Sequence, residues 1–174
     1  MIRECKGDLV NYEDWVKAVP ASITGDPLWK VEAYRLALFA GEIGWFDVSK
    51  LARDRRTQSL SDQLYRALGS MSANAAEGYS RSTGKDRAHF YEYALGSARE
   101  SRDWYYKARH VLGEDVATHR LAFLTQIIRL LLTMVPQQRG HSVREDSPEY
   151  QTWENKAGTG QEQLCILLAQ VPMP

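Results

Sequence analysis

The chain has 174 residues, 44% of them hydrophobic, and its 22 lysines and arginines balance its 22 aspartates and glutamates. This length suits one domain with a buried core, and the balanced charge excludes binding to nucleic acid or an acidic membrane through bulk charge. Cys5 and Cys165 form no C-x-x-C pair, which predicts reduced thiols. The longest apolar-rich run, 122–135, is too short to span a bilayer. A soluble, cytoplasmic protein without a membrane partner is therefore predicted.

In chain order, an N-terminal extension over residues 1–27 comes first, with one short helix predicted from Tyr12 to Ala18. A first long helix then runs from Leu28 to about Arg53. Its apolar or small side chains recur three and four residues apart, which predicts a face packed in the core. That face comprises Val31, Tyr34, Leu38, Gly41, Trp45, Val48 and Ala52.

The second long helix begins near Ser59 and is rich in small residues, which allow another backbone to approach closely. It is expected to end at Gly78, where the apolar period stops and a left-handed glycine is typical. Thr83 and Asp86 then resemble a capping box for a third helix. The predicted core face of the second helix comprises Leu60, Leu64, Ala67, Leu68, Met71 and Ala75.

The third helix is predicted to stop near Gly113, and Pro136 is predicted to end a fourth. Short connections between four long helices, with no strand pattern, predict an all-α fold. The predicted architecture is an antiparallel up-down-up-down four-helix bundle over residues 28–135. Residues 136–174 follow as a polar linker and a short C-terminal helix from Gln161 to Val171.

No motif for catalysis or metal binding is apparent, so the sequence predicts a non-enzymatic protein without metal or cofactor. Asp86 and His89 have the spacing of a di-iron ligand pair, but the other helices offer no matching set. Glu77 lies in an apolar and small stretch and is expected to pair with Arg66, with Arg81 or with backbone amides rather than to act as a general base.

Positive charge is concentrated in the middle of the chain. Each flank, 1–27 and 136–174, has three basic and five acidic residues, which leaves 16 basic and 12 acidic residues in 28–135. The first and third interhelical loops share one end of such a bundle, and arginine with tyrosine suits phosphate contacts and base stacking. The predicted nucleic-acid contacts are Arg53, Arg55, Arg56, Arg99, Arg102, Lys107 and Arg109. The alternative is that these cations form ordinary helix pairs, such as Arg99 with Asp103.

Residues 63–81 read QLYRALGSMSANAAEGYSR, and from Phe90 to Glu100 the pattern is F-x-x-x-A-x-G-S-x-x-E. Together they resemble the family of four-helix bundle proteins encoded in intervening sequences of bacterial ribosomal RNA genes. That family includes the accessory variability proteins of diversity-generating retroelements. The resemblance covers about residues 28–135, with Ser72 and Ser80 standing where the family usually has proline and glycine. Its motif residues include Gln63, Arg66, Asn74, Glu77, Gly78 and Arg81.

The resemblance implies a homo-pentamer, with bundles packed in a ring around a central channel, and no enzymatic activity. For the retroelement branch it implies binding to nucleic acid and to a reverse transcriptase. Two functions stay open at this point. One is an accessory protein that binds RNA or DNA and assists a reverse transcriptase. The other is a ring-shaped scaffold or adaptor that binds a protein partner through its flanking extensions, without nucleic acid.

Overall fold

The computed structural model describes residues 11–140 and 160–174, and within these ranges the chain is all-α, with no strand. Most of the predicted polar linker lies outside the described residues. A short 3-10 helix, Pro27–Lys30, precedes the first long helix. The α-helices are α1 (Tyr12–Ala18), α2 (Ala21–Thr24), α3 (Glu32–Leu51), α4 (Gln58–Tyr79), α5 (Gly84–Leu112), α6 (Glu114–Gln138) and α7 (Gly160–Ala169).

The four long helices, α3 to α6, pack in succession, each against the next in the chain. The connections between them are short, since residues 52–57 join α3 to α4, residues 80–83 join α4 to α5, and Gly113 alone separates α5 from α6. Their shared core is aliphatic and aromatic, and its fully buried side chains include Phe39, Leu64, Met71 and Ile127. None of the helices in the described ranges is long and apolar enough to cross a membrane.

The core-facing side of α3 differs from the predicted one. Of the predicted face only Val48 is buried, whereas Trp45 is 56% exposed and Ala52 is also exposed. The side of α3 that packs in the core is a neighbouring stripe that contains small residues. Small residues are needed there because the helices lie close together: a β-carbon on Gly44 would lie 2.4 Å from a methyl carbon of Leu68. That stripe comprises Ala33, Leu36, Ala37, Ala40, Ile43, Gly44, Asp47 and Leu51.

Gly78 does not adopt the predicted left-handed conformation. Helix α4 continues through it to Tyr79, and the described glycines with positive φ are Gly113, at 96°, and Gly140, at 71°. Glycine is required at position 78 for space, because a β-carbon there would lie 2.7 Å from Cε1 of Tyr91. The role of Gly78 is therefore close packing of α4 against α5.

Helix α5 begins as predicted and α6 ends later than predicted. The backbone N–H of Asp86 donates to the Thr83 hydroxyl at 3.1 Å, and this hydroxyl donates to the Asp86 carboxylate at 2.7 Å. Helix α6 continues through Pro136 to Gln138. Pro136 has no N–H to donate to the carbonyl of Leu132, yet the chain keeps its helical path for two residues beyond it.

The two flanking helices complete the core. Helix α1 has the predicted bounds, and Asn11 caps it by accepting from the backbone N–H of Asp14 at 2.9 Å. Its Tyr12 and Trp15 rings lie 5.2 and 5.1 Å from the ring of Phe39 on α3. Helix α7 packs against α6 and α1 and buries Leu164. Residues 160–174, the C-terminal segment, therefore belong to the same core as the long helices.

We expect Gly78→Ala to lower the free energy of unfolding by about 1–3 kcal/mol, because Tyr91 must shift to admit the methyl group. The matched control is Gly96→Ala in the middle of α5, where a β-carbon would meet nothing within 4 Å. That change should raise the free energy of unfolding by about 0.5–1 kcal/mol, through the better helix propensity of alanine. Urea denaturation followed by circular dichroism measures both. Equal effects of the two substitutions would contradict the close-packing role of Gly78.

Candidate nucleic-acid interface

Three of the predicted basic contacts lie in the connection between α3 and α4. Arg53 and Arg55 are exposed, and Arg56 forms a 2.6 Å ion pair with Asp54 while its side chain stays 83% exposed. The hydrogen bond from the Arg56 side chain is the main cause that lowers the pKa of Asp54 to about 2. Thr57 closes the turn by donating its hydroxyl to a carbonyl oxygen at the end of α3, at 2.7 Å. The turn therefore presents three guanidinium groups with one carboxylate among them.

Near the end of α5, a half-buried arginine stacks on an exposed tyrosine. The guanidinium carbon of Arg109 lies 4.1 Å from the ring centroid of Tyr106, and the same guanidinium donates to the Tyr106 carbonyl at 2.6 Å. The Tyr106 side chain is 55% exposed. Such a pair offers both a cation for a phosphate and an aromatic face for a base.

The other predicted contacts on α5 differ in their surroundings. Arg99 is exposed, and Arg102 is half-buried and reaches the Thr125 hydroxyl on α6 at 3.5 Å. Lys107 forms an ion pair with Asp103 and lies 4.3 Å from the Trp104 ring centroid. The predicted pairing of Arg99 with Asp103 is therefore replaced by the pairing of Lys107 with the same carboxylate.

The structure brings five of the seven predicted contacts to one end of the long helices. Asp47 of α3 contacts Tyr105 of α5, so the last turn of α5 lies level with the end of α3, where the loop begins. We call this group the basic end; it comprises Arg53, Arg55, Arg56, Lys107 and Arg109. Arg99 is ten residues before Arg109 and so lies about 15 Å away along α5. Arg99 and Arg102 therefore extend down the side of the helices.

A buried ionic cluster, not foreseen from the sequence, supports the basic end. Arg120 of α6 donates from Nε and Nη2 to the two carboxylate oxygens of Asp47, at 2.7 and 3.1 Å. The hydroxyl of Tyr105 donates to the same carboxylate at 2.7 Å. The Arg120 and Asp47 side chains are 1% and 0% exposed. Burial, followed by the neighbouring Asp47 carboxylate, raises the pKa of Tyr105 well above its usual value.

The cluster also holds the C-terminal segment. Nη2 of Arg120 donates to the carbonyl of Pro172 at 2.9 Å, and Nη1 lies 2.9 Å from Nδ1 of His119. Nε2 of His119 lies 2.8 Å from the carbonyl of Leu167 in α7. The buried ionic cluster thus comprises Asp47, Tyr105, His119 and Arg120, and it joins three long helices to the C-terminal segment.

This cluster stabilises the fold rather than offering reactive groups. Within the described ranges, each buried side-chain nitrogen and oxygen has a hydrogen-bond partner. Across the same ranges, no group of three or more His, Cys, Asp or Glu side chains is arranged to hold a metal ion. The burial of Arg120 could have been inferred from the sequence, because Arg120 lies on the same face of α6 as the buried Ala117, Phe123 and Leu124.

The family-motif residues lie on α4 and at its junction with α5: Gln63 and Arg66 are in the half of α4 that follows the basic end, and the others are in its second half or just beyond it. Glu77 pairs with Arg81 rather than with Arg66, which confirms one of the predicted partners. The Arg81 guanidinium also lies 4.5 Å from the Phe90 ring centroid. The Asn74 amide donates to a backbone carbonyl one turn earlier, at 2.8 Å. Gln63 is half-buried and Arg66 exposed. Of these contacts, the stacking of Arg81 on Phe90 links the end of α4 to α5.

An apolar surface on the outside of α3 and α4 is left uncovered. Trp45 and Tyr65 are 56% and 43% exposed, and their ring centroids lie 5.8 Å apart. A β-carbon on Gly41 or Gly69 would meet nothing within 4 Å. We call this surface the α3–α4 face; it comprises Tyr34, Leu38, Gly41, Trp45, Tyr65 and Gly69.

Comparison with known proteins identifies a family. Residues 38–132 match the profile of the 23S rRNA-intervening sequence protein family. The matched range contains all of α4 and α5, the motif residues and the basic end. No curated protein and no solved structure matches the chain.

Replacing Asp47 by leucine should lower the free energy of unfolding by about 3–5 kcal/mol, because it leaves the Arg120 guanidinium buried without its counter-charge. The double variant Asp47→Leu with Arg120→Met should lose less than Asp47→Leu alone, since no buried charge is then unpaired. Tyr105→Phe is the milder control and should cost about 1–3 kcal/mol for one hydrogen bond to a charged group. Chemical denaturation gives all three values. A double variant that loses as much stability as Asp47→Leu, or more, would show that the ion pair does not act as a unit.

Proposed function

Because the chain belongs to the family of 23S rRNA-intervening sequence proteins, we propose that it is a non-enzymatic, homo-oligomeric accessory protein that binds nucleic acid. The observation that carries this proposal is the basic end, where five cations and the exposed Tyr106 lie at the same end of the long helices. Its contacts are to phosphates, with stacking on Tyr106, and without readout of base edges. It acts in the cytoplasm.

The scaffold in this proposal is an antiparallel up-down-up-down four-helix bundle of α3 to α6. One cavity is lined by Glu32 from the start of α3, Tyr79 from the end of α4, Arg87 from the start of α5 and Met134 from the end of α6. Around this cavity the first turns of α3 and α5 therefore alternate with the last turns of α4 and α6, as expected for antiparallel neighbours. The basic end lies at the opposite end of the same helices.

Phosphate binding at the basic end competes with few internal ion pairs. Among the described residues, Arg53, Arg55 and Arg109 have no carboxylate within ion-pair distance. Arg56 is paired, but its exposed ion pair is weak and screened by salt, so it can exchange Asp54 for a phosphate. One chain supplies only a small surplus of positive charge, so several copies would be needed for tight binding.

The proposal of self-association is supported by the α3–α4 face. Mid-helix glycines lower helix stability, and Gly41 and Gly69 gain no packing inside the chain, because the space beside them is open. Glycine at such positions allows the backbone of another helix to approach, and the exposed Trp45 and Tyr65 supply apolar area around it. A second copy of the chain is the proposed occupant, and a ring of five is the proposed assembly.

A retroelement reverse transcriptase is the proposed protein partner, supported only by the resemblance to accessory variability proteins. A scaffold or adaptor that binds a protein through its flanks is the second candidate, supported by the acidic excess of both flanks. The packing of residues 160–174 against α6 and α1 favours the first candidate, because it buries part of the surface that an adaptor would use.

We expect the double variant Arg53→Glu/Arg55→Glu to weaken binding of a 30-nucleotide single-stranded RNA or DNA by roughly tenfold or more at 100 mM salt. It should also flatten the salt dependence by about 0.7 for each phosphate that the variant no longer binds, because counterion release drives this binding. Fluorescence anisotropy across a salt series measures affinity and slope together.

The matched control is Lys30→Glu/Lys85→Glu, which makes the same change in charge with two exposed lysines at the opposite end of the helices. This control should bind like the unaltered chain apart from a small long-range effect. Equal losses of affinity in the two double variants would remove the basic end from the proposal. Absence of binding by the unaltered chain at 50 mM salt would favour the adaptor.

Gly69→Leu should disrupt self-association, because the side chain would fill the space through which a second helix approaches. Light scattering should give the unaltered protein a mass that is a multiple of 19.8 kDa and give the variant a mass close to this value. Gly96→Leu is the control, because Gly96 also has open space beside it but lies on α5, outside the α3–α4 face. A monomeric unaltered protein, or equal dissociation of both variants, would reject the α3–α4 face as the interface.

A further inference from the structure

The C-terminal segment is attached to the long helices partly through its backbone. Its apolar anchors are Leu164 and Val171, which are 5% and 1% exposed. Two carbonyl oxygens, of Leu167 and Pro172, face His119 and Arg120. Leu167 lies in the last turn of α7, where carbonyl groups have no partner inside the helix, so His119 acts as a cap supplied by another helix.

The hydrogen bonds around His119 define its protonation state. The Leu167 carbonyl can only accept, so Nε2 must carry a proton, and the Arg120 guanidinium can only donate, so Nδ1 must be free to accept. The docked arrangement therefore needs a neutral His119. A second proton on Nδ1 would point at the Arg120 guanidinium and place two positive charges in contact.

The surroundings of His119 offer no means to neutralise such a proton. Arg120 contacts it from its own helix, and the Asp47 carboxylate of α3, which acts on the His119 ring only through space, is already bound by Arg120 and Tyr105. Helix α7 contributes only the Leu167 carbonyl. Burial is the largest effect and lowers the pKa of His119; the Leu167 carbonyl opposes it, Arg120 lowers the pKa further, and the Asp47 carboxylate, the smallest effect, raises it, so that the pKa is lowered overall.

We propose that residues 160–174 form a releasable strap, and that protonation of His119 detaches it from α6 and α1. In the released state the ring is exposed to water and takes up a proton with an ordinary pKa, near 6.5. Above that pH neither state holds the extra proton, so docking is at full strength. Below that pH the released state binds a proton that the docked state excludes, so release becomes up to about tenfold more favourable per pH unit. Release uncovers the apolar surface on which Leu164 and Val171 pack.

Hydrogen exchange on the full-length chain tests this proposal. Protection factors of the amides in 164–171, corrected for intrinsic rates, should fall roughly tenfold between pH 7.5 and pH 5.5. Amides in 64–71 of α4 should keep their protection, because the long helices stay packed. Loss of protection in both regions together would mean global unfolding and would overturn the proposal.

The decisive variant is His119→Gln, because glutamine can donate to Leu167 and accept from Arg120 but does not titrate. It should keep the strap docked at both pH values, whereas His110→Gln, at an exposed position near the end of α5, should respond to pH like the unaltered chain. If His119→Gln does not fold, an NMR titration of the His119 ring in the unaltered chain serves instead. A pH-dependent strap in His119→Gln, or a docked His119 that titrates at or above 6.5, would refute the mechanism.

Discussion

The buried pairing of Arg120 with Asp47 is the interaction on which the rest of the structure depends. Removing two charges from water is costly, and their attraction compensates only when geometry is good and the remaining donors are satisfied. Here Asp47 also accepts from Tyr105, and Arg120 also contacts His119 and the Pro172 carbonyl. These requirements fix α3, α5, α6 and the C-terminal segment relative to one another, and the basic end lies directly beyond this point.

Three regions of the molecule differ in their contacts and in the roles that we assign to them. The motif on α4 stabilises packing against α5, through Gly78 beneath Tyr91 and through the Glu77–Arg81 pair. The α3–α4 face is apolar and faces away from the core, as suits contact with another copy. The basic end carries the proposed binding to nucleic acid. Each chain has only a small excess of positive charge. Assembly of several copies through the α3–α4 face would bring several basic ends together and so strengthen binding to nucleic acid.

Local interactions were predictable from the sequence, and interactions between distant residues were not. The bounds of α1, the Thr83–Asp86 box and the all-α class depend on residues within a few positions of each other. The predicted core face of α3 was wrong because the helix has two apolar stripes, and periodicity alone cannot tell an intramolecular core from a surface. The predicted role of Gly78 was wrong because the space beside a glycine depends on another helix. The role of the basic end is still a prediction, since charge in sequence does not show what it binds.

The separation of Asp47 and Arg120 by 73 positions also bears on how the chain folds. Adjacent long helices are joined by short connections, so each helix pair can form early at low entropic cost, whereas the distant ion pair needs three helices in place first. We therefore expect the ion pair to be absent from the folding transition state, so that its loss accelerates unfolding far more than it slows folding. The unfolding rate, and so the lifetime of the folded chain, would then depend on this ion pair. The folding rate would depend on how fast the helix pairs form.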